Sequence, residues 1–141
     1  MPKKKIRLRI VTPAKVKADE PADMVIMRCT SGDMGVLPGH EPRSAVLDYA
    51  PLRILSGGYE RHIAVYGGLA VIENDVLTIL TDDAEWPEEI NLAQARTDRE
   101  RAEQRLQDIE DDMELQNDQV LLRRALVQIE VSSYTLTQQE E

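Results

Sequence analysis

At Trp86-Pro87 the spacing of apolar residues changes, from steps of two to steps of three and four, and that change divides the chain into two kinds of structure. Before it, Ile6, Leu8 and Ile10 alternate with Lys5, Arg7 and Arg9, as a strand with one buried face requires. Val25, Met27 and Cys29 repeat the pattern, and short aliphatic runs follow at 43–49, 52–55, 61–66, 69–73 and 76–81. Pro38-Gly39, Gly57-Gly58, Gly67-Gly68 and Asn74-Asp75 punctuate them. Short strands at such intervals predict an antiparallel β-sandwich or barrel over residues 1–87. A parallel α/β sheet is not expected, because no helical stretch interrupts the strands.

Beyond Pro87 the apolar positions are Leu92, Ala95, Ala102, Leu106, Ile109 and Met113, with Arg99 filling one slot. They fall on one face of an amphipathic helix. Asn91 is a candidate N-cap, and Glu88 and Glu89 place negative charge at the helix entry. Leu115, Leu122 and Ile129, seven apart, with Ala125 and Leu126 between, predict a second helix. The polar stretch Asp111-Asp112 to Asn117-Asp118 is the expected turn, giving an antiparallel two-helix hairpin over 88–141. Val131 and Ser132-Ser133 are expected to end it, with 132–141 a mobile tail. The hairpin stripe reads as intramolecular packing and not as a membrane surface, since its polar face is acidic.

Composition narrows the function. The net charge of −9 argues against nucleic acid as a partner, because phosphate binding needs an excess of Lys and Arg. Charge is segregated: residues 1–20 carry seven bases against two acids, and 88–119 carry eleven acids against four arginines. The lone Cys29 allows no intrachain disulfide and fits a reducing compartment. No apolar run approaches the roughly 20 residues of a membrane-spanning helix, and Lys3–Lys5 lead into a strand pattern instead of a signal peptide. Metal binding is not expected, since His40 and His62 have no ligand spacing. Ser31, Ser44 and Ser56 lack a nucleophile elbow, and the glycines form neither a dinucleotide nor a Walker loop. No catalytic set and no cofactor is therefore expected.

Two segments carry a family resemblance. Gly32-Asp33-Met34-Gly35-Val36-Leu37-Pro38-Gly39-His40-Glu41-Pro42 is one; the other is Val65-Tyr66-Gly67-Gly68-Leu69-Ala70-Val71-Ile72-Glu73-Asn74-Asp75-Val76-Leu77-Thr78-Ile79-Leu80, followed by Asp83-Ala84-Glu85. In order, and with a helical hairpin after them, they resemble the epsilon-subunit family of F-type ATP synthases, of the bacterial type. The resemblance implies a non-catalytic rotor subunit of a proton- or sodium-translocating synthase. Its sandwich bridges the gamma shaft and the membrane rotor ring, peripheral to the cytoplasmic face of a bacterial membrane. It places Asp33, with Met34 and His40 of the same loop, at the end facing the ring. Read without it, Asp33 is a solvated turn acid and His40 a histidine satisfied by local backbone.

Many members of the family bind ATP through Ile or Leu, Asp, two variable residues, Arg, Ala at the start of the first helix. Here the stretch is Ile90-Asn91-Leu92-Ala93-Gln94-Ala95, so Asn91 and Gln94 replace the acid and the arginine. A second-helix arginine pair becomes Arg124 and Gln128. An amide cannot replace the bidentate, charge-assisted grip of a guanidinium on phosphate, so weak or absent ATP binding is expected. The family's hairpin also brakes ATP hydrolysis by extending toward the beta subunits. As one rod, residues 91–131 would reach about 60 Å. Only Arg123 and Arg124 supply bases on the second helix, so the expected inhibition is modest. The alternative from another class is a stand-alone ligand-binding sandwich with a helical dimerisation hairpin. Four tyrosines and one tryptophan give it little platform.

Overall fold

The structure is a computed structural model that describes residues 4–108 and 112–140. It divides into two compact units, Met1–Ala84 and Glu85–Glu141. Eight strands are β1 (Ile6–Val11), β2 (Val16–Ala22), β3 (Met24–Cys29), β4 (Gly32–Val36), β5 (Arg43–Ser56), β6 (Tyr59–Glu73), β7 (Val76–Leu80) and β8 (Ala84–Glu85), all in the first unit except Glu85, with which the second unit begins. They form a β-sandwich whose hydrogen-bonded order is β2-β1-β7-β6-β5-β3-β4, with β8 on β6. Inward residues alternate as expected: Ile6, Leu8 and Ile10 of β1 face a core with Val25, Met27, Ile54, Ile63, Leu77 and Ile79, all at most 2% exposed. With no Phe in the chain, this core is mostly aliphatic, with Tyr66 its one buried aromatic ring among the described residues.

Several details differ from the sequence reading. β1 and β7 run parallel, a pairing between strands distant in sequence that local pattern does not reveal. β2 had no expected strand, because it is an edge strand whose buried residues are only Ala18 and Ala22 and which contains Pro21. An edge tolerates proline, since one side needs no N–H. Gly32–Val36, read as loop, is the opposite edge strand, paired with β3. Runs 43–49 and 52–55 are one strand, and so are 61–66 and 69–73. Gly67 and Gly68 do not end β6. At φ 74° and 125° they bend it while its register with β5 continues on both sides. A Cβ on Gly68 would collide with the Leu80 carbonyl oxygen, so only glycine fits that crossing. On β5, the β3 register shifts between Ile26 and Cys29, beside Pro51, whose missing N–H falls at this irregularity.

The second unit begins with a 3₁₀ turn at Pro87–Glu89, followed by α1 (Leu92–Asp108) and α2 (Asp112–Glu140), which pack against each other. Glu89 Oε1 accepts from Trp86 N at 2.9 Å, and Trp86 O accepts from Glu89 N at 2.9 Å, a reciprocal cap that fixes the entry. Asn91 is the N-cap of α1: its Oδ1 accepts from Gln94 N at 3.0 Å. Ala95 and Ala102 are buried, Leu92 and Leu106 half-buried, and Arg99 exposed, as the stripe requires. Ile109 and the side chain of Met113 lie outside the described residues.

α2 corrects two expectations. Residues 112–118 are helix and not turn, while Asp111 lies outside the described residues. Asp118, read as a turn residue, is 7% exposed and lies 3.7 Å from Arg105 Nη1, so its polarity marks a paired position on the hairpin. The helix also passes through Ser132-Ser133 to Glu140, so Ser132-Ser133 do not end it. Thr135 Oγ1 donates to the Val131 carbonyl at 3.2 Å, one turn back, which satisfies a hydroxyl without ending the helix. Burial on α2 falls on Ala125, Val127, Val131 and Ser132, and Leu126 of the expected stripe is 43% exposed.

Candidate functional site

Alternation leaves each strand an outer face, and on five neighbouring strands of the sandwich part of that face is apolar. Val46 of β5 stands opposite Leu69 of β6, and Leu69 opposite Leu80 of β7. Leu80 stands opposite Val11 of β1, and Val11 opposite Val16 of β2. Register partners project to the same side of a sheet, so these aliphatic residues form one row across five strands, roughly 19 Å wide at strand spacing. Val46 is 56% exposed, Val16 50%, Leu80 44% and Leu69 37%. The adjacent row on this face is Ser44, Val71, Thr78, Arg9 and Asp19, mostly polar. Val11 and Leu80 also line a hollow of about 370 Å³ with Thr12, Pro13, Tyr66 and Gly68. A contiguous apolar row with a polar border is the anatomy of a docking surface. Sequence reasoning missed it: Leu69 and Leu80 occupy outward positions of strands already recognised, but only the pairing of those strands joins them into a row.

A second surface surrounds the Gly32–Pro42 segment. Asp33 is exposed on β4, with Oδ1 3.5 Å from Arg28 Nε on the neighbouring strand. Met34 is half-buried opposite Met27. His40 Nδ1 lies 2.8 Å from the Glu41 carbonyl oxygen, and His40 N donates to Leu37 O at 3.2 Å. Asp33 and His40 therefore each have a local partner, and His40 fits the backbone-satisfied reading. The loop is tied down at Gly39, whose N–H donates to Asp75 Oδ1 at 2.6 Å. Beside it an open groove of about 750 Å³ is lined by Met24, Leu37, Pro38, Leu55 and Tyr59. Leu37 is 52% and Tyr59 79% exposed, neither singled out by sequence.

The degenerate nucleotide motif is occupied by internal contacts. Asn91 caps α1, and Gln94 Nε2 donates to Asp98 Oδ1 at 2.9 Å. Arg124 Nη2 and Gln128 Nε2 both donate to Glu85 Oε1, each at 2.9 Å. Arg123 is exposed. Among the described residues there is no cluster of His, Cys, Asp and Glu suited to a metal, and no helix is long and apolar enough to cross a membrane. Cys29 is buried, and that burial pushes its thiol up.

Residues 5–87 match the family model of the ATP synthase delta/epsilon chain β-sandwich domain, and residues 88–133 that of its long α-helix domain. The ATP synthase epsilon chain of Syntrophobacter fumaroxidans is 39% identical over 131 residues, covering 93% of this chain and 98% of that one. The epsilon chain of Bacillus licheniformis is 36% identical over 129 residues, covering 92% and 98%. Among solved structures, a chain of the Euglena gracilis mitochondrial ATP synthase, in a cryo-EM structure of OSCP/F1/c-ring, superposes with a TM-score of 0.79. It is 25% identical and covers 96% of this chain and 83% of its own. A chain of the Tetrahymena thermophila mitochondrial ATP synthase central stalk and c-ring has a similar fold over 63% of this chain and 72% of its own, with a TM-score of 0.52 at 18% identity.

Proposed function

Because the chain belongs to the ATP synthase delta/epsilon family, as an epsilon chain, we propose that it is the non-catalytic link between the gamma shaft and the membrane rotor ring of a proton- or sodium-translocating F-type synthase. The observation that carries this reading is the exposed aliphatic row Val46–Leu69–Leu80–Val11–Val16. It suits an apolar stripe on a long helical partner, and we assign it to the gamma shaft. Anchored on a sheet whose core is almost fully buried, it can transmit force without deforming. The second surface, with Asp33, Met34 and His40 beside Leu37 and Tyr59, is assigned to the loops of the ring. The complex sits at the cytoplasmic face of a bacterial membrane, and the chain is held there through its partners.

The hairpin supplies at most a modest brake. α2 carries two bases, Arg123 and Arg124, and Arg124 is already paired with Glu85 at 2.9 Å, which leaves little positive charge to meet acidic segments of the beta subunits. The test is to reconstitute the synthase with residues 1–87 in place of the full chain. We expect the complex to assemble, and ATP hydrolysis to rise by less than about twofold. Failure to assemble would overturn docking through the sandwich, and a large rise in hydrolysis would overturn the modest brake.

A further inference from the structure

Glu85 holds a position that the nucleotide motif does not explain. Its Oε1 accepts from two α2 side chains at once, Arg124 Nη2 and Gln128 Nε2, both at 2.9 Å. Those donors are four residues apart, on one helical face, so a single carboxylate bridges one turn of α2. The Gln128 amide orientation is fixed by chemistry, because only its NH₂ can face a carboxylate oxygen. Glu85 is also preorganised. Ala84 before it is fully buried, and Trp86 after it is locked by the reciprocal cap with Glu89. The carboxylate is 18% exposed and Arg124 36%, so the pair is partly withdrawn from solvent. Farther along the hairpin, Arg105 meets Asp118 at 3.7 Å, a longer contact with an exposed arginine.

We infer that Glu85 is a built-in latch: it holds α2 against the entry of the helical unit through Arg124 and Gln128, and it gates the availability of Arg124 as a cation for a partner. Release of α2 requires breaking this charge-assisted bridge, and the same event separates Arg124 from the Glu85 carboxylate. The latch is a property of the chain itself. Its regulatory meaning rests on the reading of the hairpin as the movable element of a stalk subunit.

Hydrogen exchange on the isolated full chain tests the latch without the synthase, so its outcome is separate from that of the reconstitution above. We expect Glu85→Ala to speed exchange of amides around 120–130 about tenfold, with β5 and β6 amides unchanged. Arg124→Ala should do the same, and the double variant should add little. In the wild-type chain 1 M NaCl should raise α2 exchange, and in Glu85→Gln salt should have little further effect. Should Glu85→Ala lose protection in β5 and β6 as well, the salt comparison on Glu85→Gln decides. Unchanged α2 exchange in a folded Glu85→Ala chain, additive effects of the two substitutions, or equal salt response in wild type and Glu85→Gln would overturn the latch.

Discussion

Glu60 shows how a surface residue becomes structural. Arg53, from the facing strand, donates Nη2 to Oε1 at 2.9 Å and Nε to Oε2 at 3.2 Å, and His62 Nε2 lies 2.7 Å from Oε2. The Arg53 bridge first, and His62 second, pull the Glu60 carboxyl from its ordinary 4.5 to about 2, against partial desolvation. A depressed carboxyl pKa adds stability that is complete above pH 4.5 and disappears as pH falls through about 2. Glu60→Gln should therefore lower stability by about 1–2 kcal/mol at pH 7, discounted for exposure, with the gap from wild type closing between pH 4.5 and 2. Urea unfolding over that range measures it, and a gap independent of pH would contradict the assignment. At this scale the sequence is least legible. His62 and Glu60 are two apart on β6, but that Arg53 faces them depends on the β5–β6 register. Glu85 was visible only as part of a family motif, and its bridge to Arg124 spans 39 residues.

Elements were more legible where burial imposes a period. β1, β3, β7 and α1 follow their expected faces because their buried residues are large or regularly spaced. β2 and β4 were hidden because edge strands bury little and admit Pro21 or Gly35. The length of α2 was hidden for another reason: Asp118 and Ser132, which read as breakers, are both buried within the helix. The start of α1 carries a prediction of its own. Asn91 is committed to capping, Gln94 to Asp98, and Arg124 to Glu85, so no free arginine of the motif faces a phosphate. Calorimetric titration with Mg-ATP should show no saturable binding at micromolar concentration. A micromolar affinity would mean that these internal pairs yield to nucleotide.

For the whole molecule, the alternating pattern indicates a β module followed by two helices, but not the exposed aliphatic row on that module. The row from Val46 to Val16 exists only once β7 is placed beside β1 in parallel, and that long-range pairing leaves no local trace. The strands it crosses bury their other faces in an aliphatic core, so an outward aliphatic residue on each is a cost in solubility that a partner would remove. The direct test is the affinity of the full chain for the gamma subunit of its own synthase, comparing wild type with Leu69→Asp at the centre of the row. The account predicts at least about 30-fold weaker binding with an unchanged circular dichroism spectrum and melting profile. Equal binding by the folded variant would contradict it.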